Sequence, residues 1–132
     1  LLLFKFAILS SIRSDDLWKV LIITVVFARW SQVFACSTSE YAREEGKAKY
    51  FLKYAKKTDM FIGALFIVIL NWFLMGVKGI ILFALLLATI FSFIQYVKRK
   101  IGGMTGDTIG ATNEIAEASA LLFSLILLNY KI

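Results

Sequence analysis

The sequence predicts an all-α fold, a polytopic transmembrane helical bundle of about four complete spans plus a truncated first one, and three observations predict it. Of its 132 residues 60% are hydrophobic, with 12 Phe and 3 Trp. Its mean hydropathy of +0.79 lies well above that of an ordinary soluble domain. The apolar residues come in continuous runs rather than in alternation, and in a bilayer such runs satisfy their backbone groups as helices.

The first run, Leu1 to Ile12, holds Lys5 as its one charge. It is shorter than the roughly 20 residues that cross about 30 Å of hydrocarbon, so it is a partial span. It does not read as a signal peptide, because no basic head precedes it and no small-residue cleavage site follows. Opening at Leu1 inside an apolar run, the sequence is expected to be the carboxy-terminal part of a longer protein. Without Pro, low-complexity tracts or clear repeats, residues 1–132 are expected to form one integral membrane domain.

The second run, Leu17 to Cys36, is a span that carries Arg29 and Gln32 inside it. A basic connection follows, with Arg43, Lys47, Lys49, Lys53, Lys56 and Lys57. Two more spans, Met60 to Met75 and Gly79 to Val97, are joined by a short segment holding Lys78. Lys98, Arg99 and Lys100 then precede the run from Gly102 to Glu117, and the last span covers Ile115 to Tyr130. Tilt or thinning of the bilayer absorbs the shorter lengths.

Charge placement sets the expected topology. The two strongly basic connections fall on the same side by alternation of the spans, and the opposite connections hold only Arg13, Lys19 and Lys78. By the positive-inside tendency the basic side is cytoplasmic, which predicts a multi-pass protein of the cell (inner or plasma) membrane with its active face toward the cytoplasm. The net charge of +6 does not suggest nucleic acid, because the lysines sit beside spans, the aromatics lie within them and no recognition module is visible. The lysines orient the chain and touch anionic headgroups of the lipid bilayer, or gather a polyanionic substrate. With no His, Ser-His and Cys-His nucleophiles and the common zinc sites have no members here, and the lone Cys36 is read as packing.

The most informative stretch is GGMTGDTIGATNEIAE, Gly102 to Glu117. With a helix starting near Thr105 to Asp107, Asp107, Gly110, Ala111, Glu114 and Glu117 recur at spacings of three and four along one face, with small residues between the acids. Ahead of it, Gly102, Gly103 and Gly106 can adopt positive φ, and the amides at a helix start favour an anion. An acid next to a bound phosphate makes sense with a divalent cation between them, and magnesium suits carboxylate and phosphate oxygens together. The plainer reading is that Thr105 or Asp107 caps the helix and the glycines make a turn. Glu117, within or at the edge of the last span, and Arg29, inside a span, favour function, since ionised groups there are expensive. Arg29 reads as a phosphate clamp, or as a side chain snorkelling to the surface beside Trp30.

The Gly102 to Glu117 run resembles the carboxy-terminal signature of the cobalamin synthase (adenosylcobinamide-GDP ribazoletransferase) family of integral membrane enzymes. Ala28-Arg29-Trp30 within a span, and Tyr41-Ala42-Arg43-Glu44-Glu45-Gly46 opening the basic connection, agree in order and spacing. The resemblance implies a magnesium-assisted phosphoryl transfer in cobalamin biosynthesis. The ribose hydroxyl of α-ribazole, or of its phosphate, attacks the corrinoid-linked phosphate of adenosylcobinamide-GDP and expels GMP. It implies Asp107 as a magnesium or phosphate-site acid, with Glu114 and Glu117 supporting it in the catalytic set. Gly102, Gly103, Thr105 and Gly106 would shape a phosphate turn, and Arg29 and Arg43 would stabilise charge on the leaving nucleotide. The family's Asp-Gly-Leu-x-Asp-x-x-Asp-Gly type of signature is absent from this sequence, so part of the metal site is expected to lie elsewhere.

Two alternatives stand beside it. A transporter or channel component would line a pathway with Arg29 and Glu117, but it would need polar groups at both surfaces, and here they collect at one. A CDP-linked phospholipid-type phosphotransferase would carry Asp-Gly ahead of an Ala-Arg pair, which Ala42-Arg43 lacks. Homo-oligomeric assembly is left open by the sequence.

Overall fold

The computed structural model describes residues 1–42 and 45–131. Six helices follow one another among them: α1 (Leu2–Ser11), α2 (Ser14–Thr38), α3 (Ala48–Tyr54), α4 (Lys57–Met75), α5 (Val77–Ile101) and α6 (Gly106–Asn129). Four of these, α2, α4, α5 and α6, are long and apolar enough to cross a membrane, and α1 is the short apolar helix expected at the start. The chain is a multi-pass membrane protein.

Helices α2 and α5 outrun their apolar runs at both ends, and α4 and α6 at their starts, because polar residues at a membrane surface continue a helix whose middle is already fixed by the bilayer. The largest difference is in α6, where the acidic motif and the last span form one uninterrupted helix from Gly106. Helix α3 was not expected: its seven residues, AKYFLKY, lie in a connection dominated by lysines, and none of them is buried.

Helix α2 is the centre of the bundle. It buries Thr24, Phe27, Ala28, Ser31 and Ala35, and α6 meets it with Thr112, Ala116, Ala120 and Ser124. Small side chains on both helices let the backbones approach closely, which is the main source of helix association where lipid is as apolar as the core. Helix α5 contributes a buried stripe, Leu82, Leu86, Ile90, Ile94 and Val97, flanked by the partly buried Ile81, Phe83, Leu87 and Phe93. On α4, Phe61, Leu65, Phe66 and Phe73 are exposed and become lipid-facing in the membrane.

An aromatic group locks α2, α4 and α5 together. Trp30 stacks on Phe34 at 5.3 Å between centroids and lies 5.5 Å from Phe27 and 5.8 Å from Phe83. Its indole Nε1 donates to the Met60 carbonyl at 2.9 Å, which satisfies the one polar group of the ring. Gly63 makes room for this ring, since a Cβ there would stand 2.6 Å from Trp30 Cδ1.

The ends of the bundle differ in character. At one end α4 turns into α5 through Gly76 at φ 59°, and Gly79 packs against the Asn71 backbone so closely that a Cβ would collide with its carbonyl oxygen. Lys78 Nζ donates to the Tyr130 carbonyl at 2.7 Å, so the end of α6 lies there too. At the other end the basic connections come together, and Lys98 Nζ donates to the carbonyl of Thr38 at the end of α2.

Candidate functional site

The site is built where α5 gives way to α6. Gly102 ends α5 in the left-handed region, φ 77° and ψ 3°, and its amide bonds the Lys98 carbonyl at 2.8 Å. That conformation favours glycine. Gly103 is a glycine for a different reason: a Cβ there would run into the Glu40 carbonyl oxygen and stand 3.1 Å from the Ala42 nitrogen. At Gly106 a Cβ would only touch Ala48 Cβ at an ordinary 3.6 Å. The expectation of positive φ is therefore met at Gly102 and not at Gly103 or Gly106, because close approach rather than a left-handed turn shapes the middle of this loop.

Next to Gly103 the two loops are stitched together. The Met104 amide donates to the Glu40 carbonyl at 2.8 Å, and the Ala42 amide donates to the Met104 carbonyl at 2.9 Å, an isolated parallel bridge. The Tyr41-Ala42 segment and the glycine-rich run thus meet at one place. Arg43 lies outside the described residues.

Thr105 then starts α6 with a capping box. Its Oγ1 accepts from the Thr108 amide at 3.3 Å, and the Thr105 amide donates to Thr108 Oγ1 at 2.7 Å. The side chain of Thr105 is thereby committed to the helix start, which supports the plainer capping reading for this residue. Thr105→Ala is expected to lower stability by about 1 kcal/mol, read as a lower unfolding midpoint of the purified protein in detergent. The first-turn amides of α6 lack carbonyl partners within the helix, and Asp107 stands exposed in that turn.

The acids follow one face of α6, as their spacing predicts, but they do not converge. Asp107 is about 10 Å along the axis from Glu114 at 1.5 Å per residue. Glu114 and Glu117 are drawn to Lys5 of α1, whose Nζ lies 2.6 Å from an oxygen of each. Asn113 Nδ2 donates to the second oxygen of Glu117 at 2.8 Å. Lys5 was visible in the sequence only as the lone charge of its run, and that was the signal that could have marked it.

Arg29 sits on α2 facing the same side of α6, where its charge acts on Glu117. It lines a groove of about 930 Å³ whose walls include Gln32 from α2, Gly106 and Gly110 from α6, and the aromatic Tyr50 and Tyr54 from α3. Gly110 leaves this groove open, since a Cβ there would meet nothing within 4 Å. A mostly apolar cleft with a guanidinium on its wall suits a large ligand that carries a phosphate.

Magnesium usually takes one or two carboxylates together with phosphate oxygens and water. Asp107, beside the amides of the helix start, is an acid of that kind, whereas Glu114 and Glu117 are held by Lys5. Among the described residues no three of His, Cys, Asp or Glu come together as a metal cage. The donor set therefore fits a contribution to a magnesium–phosphate site rather than a complete one.

The cobalamin-5-phosphate synthase family matches residues 1–125. Proteins named adenosylcobinamide-GDP ribazoletransferase are similar over nearly the whole chain. The one from Caldanaerobacter subterraneus subsp. tengcongensis is 35% identical over 129 residues, 96% of this chain and 52% of the relative. That from Clostridium tetani is 30% identical over 128 residues, 96% of this chain and 51% of the relative. That from Geotalea daltonii is 32% identical over 123 residues, 92% of this chain and 49% of the relative. The chain spans about half the length of the curated relatives it matches. No solved structure matches. With the family matched from the first helix to near the end of the last, the chain belongs to the cobalamin-5-phosphate synthase family.

Proposed function

We propose that this chain forms the carboxy-terminal part of an adenosylcobinamide-GDP ribazoletransferase, a membrane enzyme of cobalamin biosynthesis. The observation that carries the reading is the stitch between Tyr41-Ala42 and Met104. It joins the two family-like loops at the basic end of the bundle, beside the groove that Arg29 lines. By the positive-inside tendency that end faces the cytoplasmic side of the cell membrane.

In the reaction the ribose hydroxyl of α-ribazole, or of α-ribazole phosphate, attacks the phosphorus attached to cobinamide. A new P–O bond forms, the diphosphate P–O–P bond breaks, GMP leaves with the electron pair, and the hydroxyl proton passes to solvent water. Arg29 holds negative charge on the diphosphate from the α2 side, and Arg43 does the same from the adjoining connection. The first-turn amides of α6 orient a phosphate oxygen, held in place by the Gly102, Gly103, Thr105 and Gly106 turn. Asp107 would provide one carboxylate to magnesium, and the remaining acids would come from the Asp-Gly-Leu-x-Asp-x-x-Asp-Gly type of signature that this sequence lacks. Glu114 and Glu117 support the arrangement through Lys5 rather than by touching the substrate. Magnesium, when bound, screens the charge on the phosphate oxygens.

The groove and the greater number of charged groups lie at the basic end, while Arg13, Asp15, Asp16 and Lys19 at the other end are engaged in ion pairs with one another, which supports an enzyme over a transport pathway open to both sides. The test is release of GMP by membranes that contain the complete protein, supplied with adenosylcobinamide-GDP and α-ribazole. Release is expected with magnesium and is expected to stop when the metal is chelated and resume when it is restored. Membranes that release no GMP under these conditions, with the protein present at normal level, overturn the reading.

A further inference from the structure

Lys5 is the one charged side chain buried among the described residues, at 9% exposure. It is held between α1 and α6, where its ammonium bonds Oε2 of both Glu114 and Glu117 at 2.6 Å. Glu114 remains half exposed at the surface, whereas Glu117 is more enclosed and has its other oxygen occupied by Asn113. Each oxygen of Glu117 thus accepts one hydrogen bond, from α1 and from its own helix. Arg29 stands on α2, the helix packed most closely against α6, yet among the described residues it makes no ion pair. Its side chain is exposed and lines the groove.

A guanidinium and an uncompensated carboxylate on two packed helices would close on each other, since in a low-dielectric setting an unpaired charge is costly and pairing is its cheapest relief. Here Lys5 takes that role first. We propose that Lys5 is a positioning residue. By compensating Glu117 from the α1 side it leaves Arg29 turned to the groove, where the guanidinium receives the phosphate groups of an incoming nucleotide-linked substrate. This rests on the reading above that the groove takes such a substrate.

The test uses the complete protein in membranes, with Lys5→Met, Lys5→Arg and the double variant Lys5→Met/Glu117→Gln. Two things are measured: KM and kcat for adenosylcobinamide-GDP, and the rate at which an arginine-specific dicarbonyl labels Arg29, read by mass spectrometry. Lys5→Met is expected to raise KM about tenfold, the scale of one charge-assisted contact, to change kcat less, and to slow Arg29 labelling. Lys5→Arg is expected to keep both values near the original. The double variant removes the carboxylate that captures Arg29 and is expected to recover KM and labelling. A double variant as impaired as Lys5→Met, or Lys5→Met with unchanged labelling, overturns the proposal. Should Lys5→Met fail to accumulate, Lys5→Gln, which keeps a hydrogen bond but not the charge, carries the same comparison. Labelling is read without turnover, so an absence of GMP release in the unmodified protein would sink the functional reading and leave this result to be judged separately.

Discussion

Asp107→Ala is expected to abolish GMP release, with a fall of about 10²-fold or more in kcat, while the protein inserts in the membrane at its usual level. The size follows from removing a preorganised charge at the point where a phosphoryl group is held. Asp107 is exposed in the first turn of α6, where a carboxylate gains from the positive end of the helix dipole. That contribution is about 0.3–1 kcal/mol. Asp107→Asn keeps the shape and removes the charge, so it is expected to lose nearly as much activity. Normal turnover by either variant in the complete protein would remove Asp107 from the site.

Gly103→Ala should be the more damaging change to structure. The added Cβ would meet backbone at Glu40 and Ala42, which cannot rotate aside as a side-chain tip can. Relief requires the loop to move away and give up the two hydrogen bonds between Met104 and residues 40–42. Overpacking of this kind costs about 1–3 kcal/mol. The expected outcome is a loss of activity comparable with that of Asp107→Ala, accompanied by faster proteolytic cleavage of the connection between α2 and α4. Gly106→Ala provides the contrast, since a Cβ there makes only ordinary contact with Ala48. It is expected to leave the cleavage pattern as it is.

Much of this architecture was legible in the sequence, for reasons that can be named. The bilayer imposes helices on long apolar runs, so the four spans followed from composition and length. The start of α6 was legible from Thr105-Gly-Asp-Thr, because a hydroxyl ahead of a helical pattern has a specific use at orphan amides. The placement of the three acids on one face followed from helical spacing. Other features were not legible. Helix α3 is too short for periodicity to register and carries no buried residue. The ion pairs of Lys5 join residues 109 and 112 apart in the chain, a contact that no local pattern encodes. The glycines of the loop look alike in sequence, yet Gly102 serves a left-handed cap, Gly103 a close backbone approach, and Gly106 neither. That distinction belongs to the neighbours of each residue and appears only once the 40–42 segment is laid alongside.

The bond pair between Met104 and residues 40–42 has a further implication for how this protein can diverge. It makes α4 and α5 a detour that departs from one point and returns to it, while α2 and α6 bear directly on one another. Substitutions on the outer surface of that detour alter what the surrounding membrane sees without moving the junction. Relatives can therefore adapt to bilayers of different thickness or composition along these two helices, so long as the place of return is preserved.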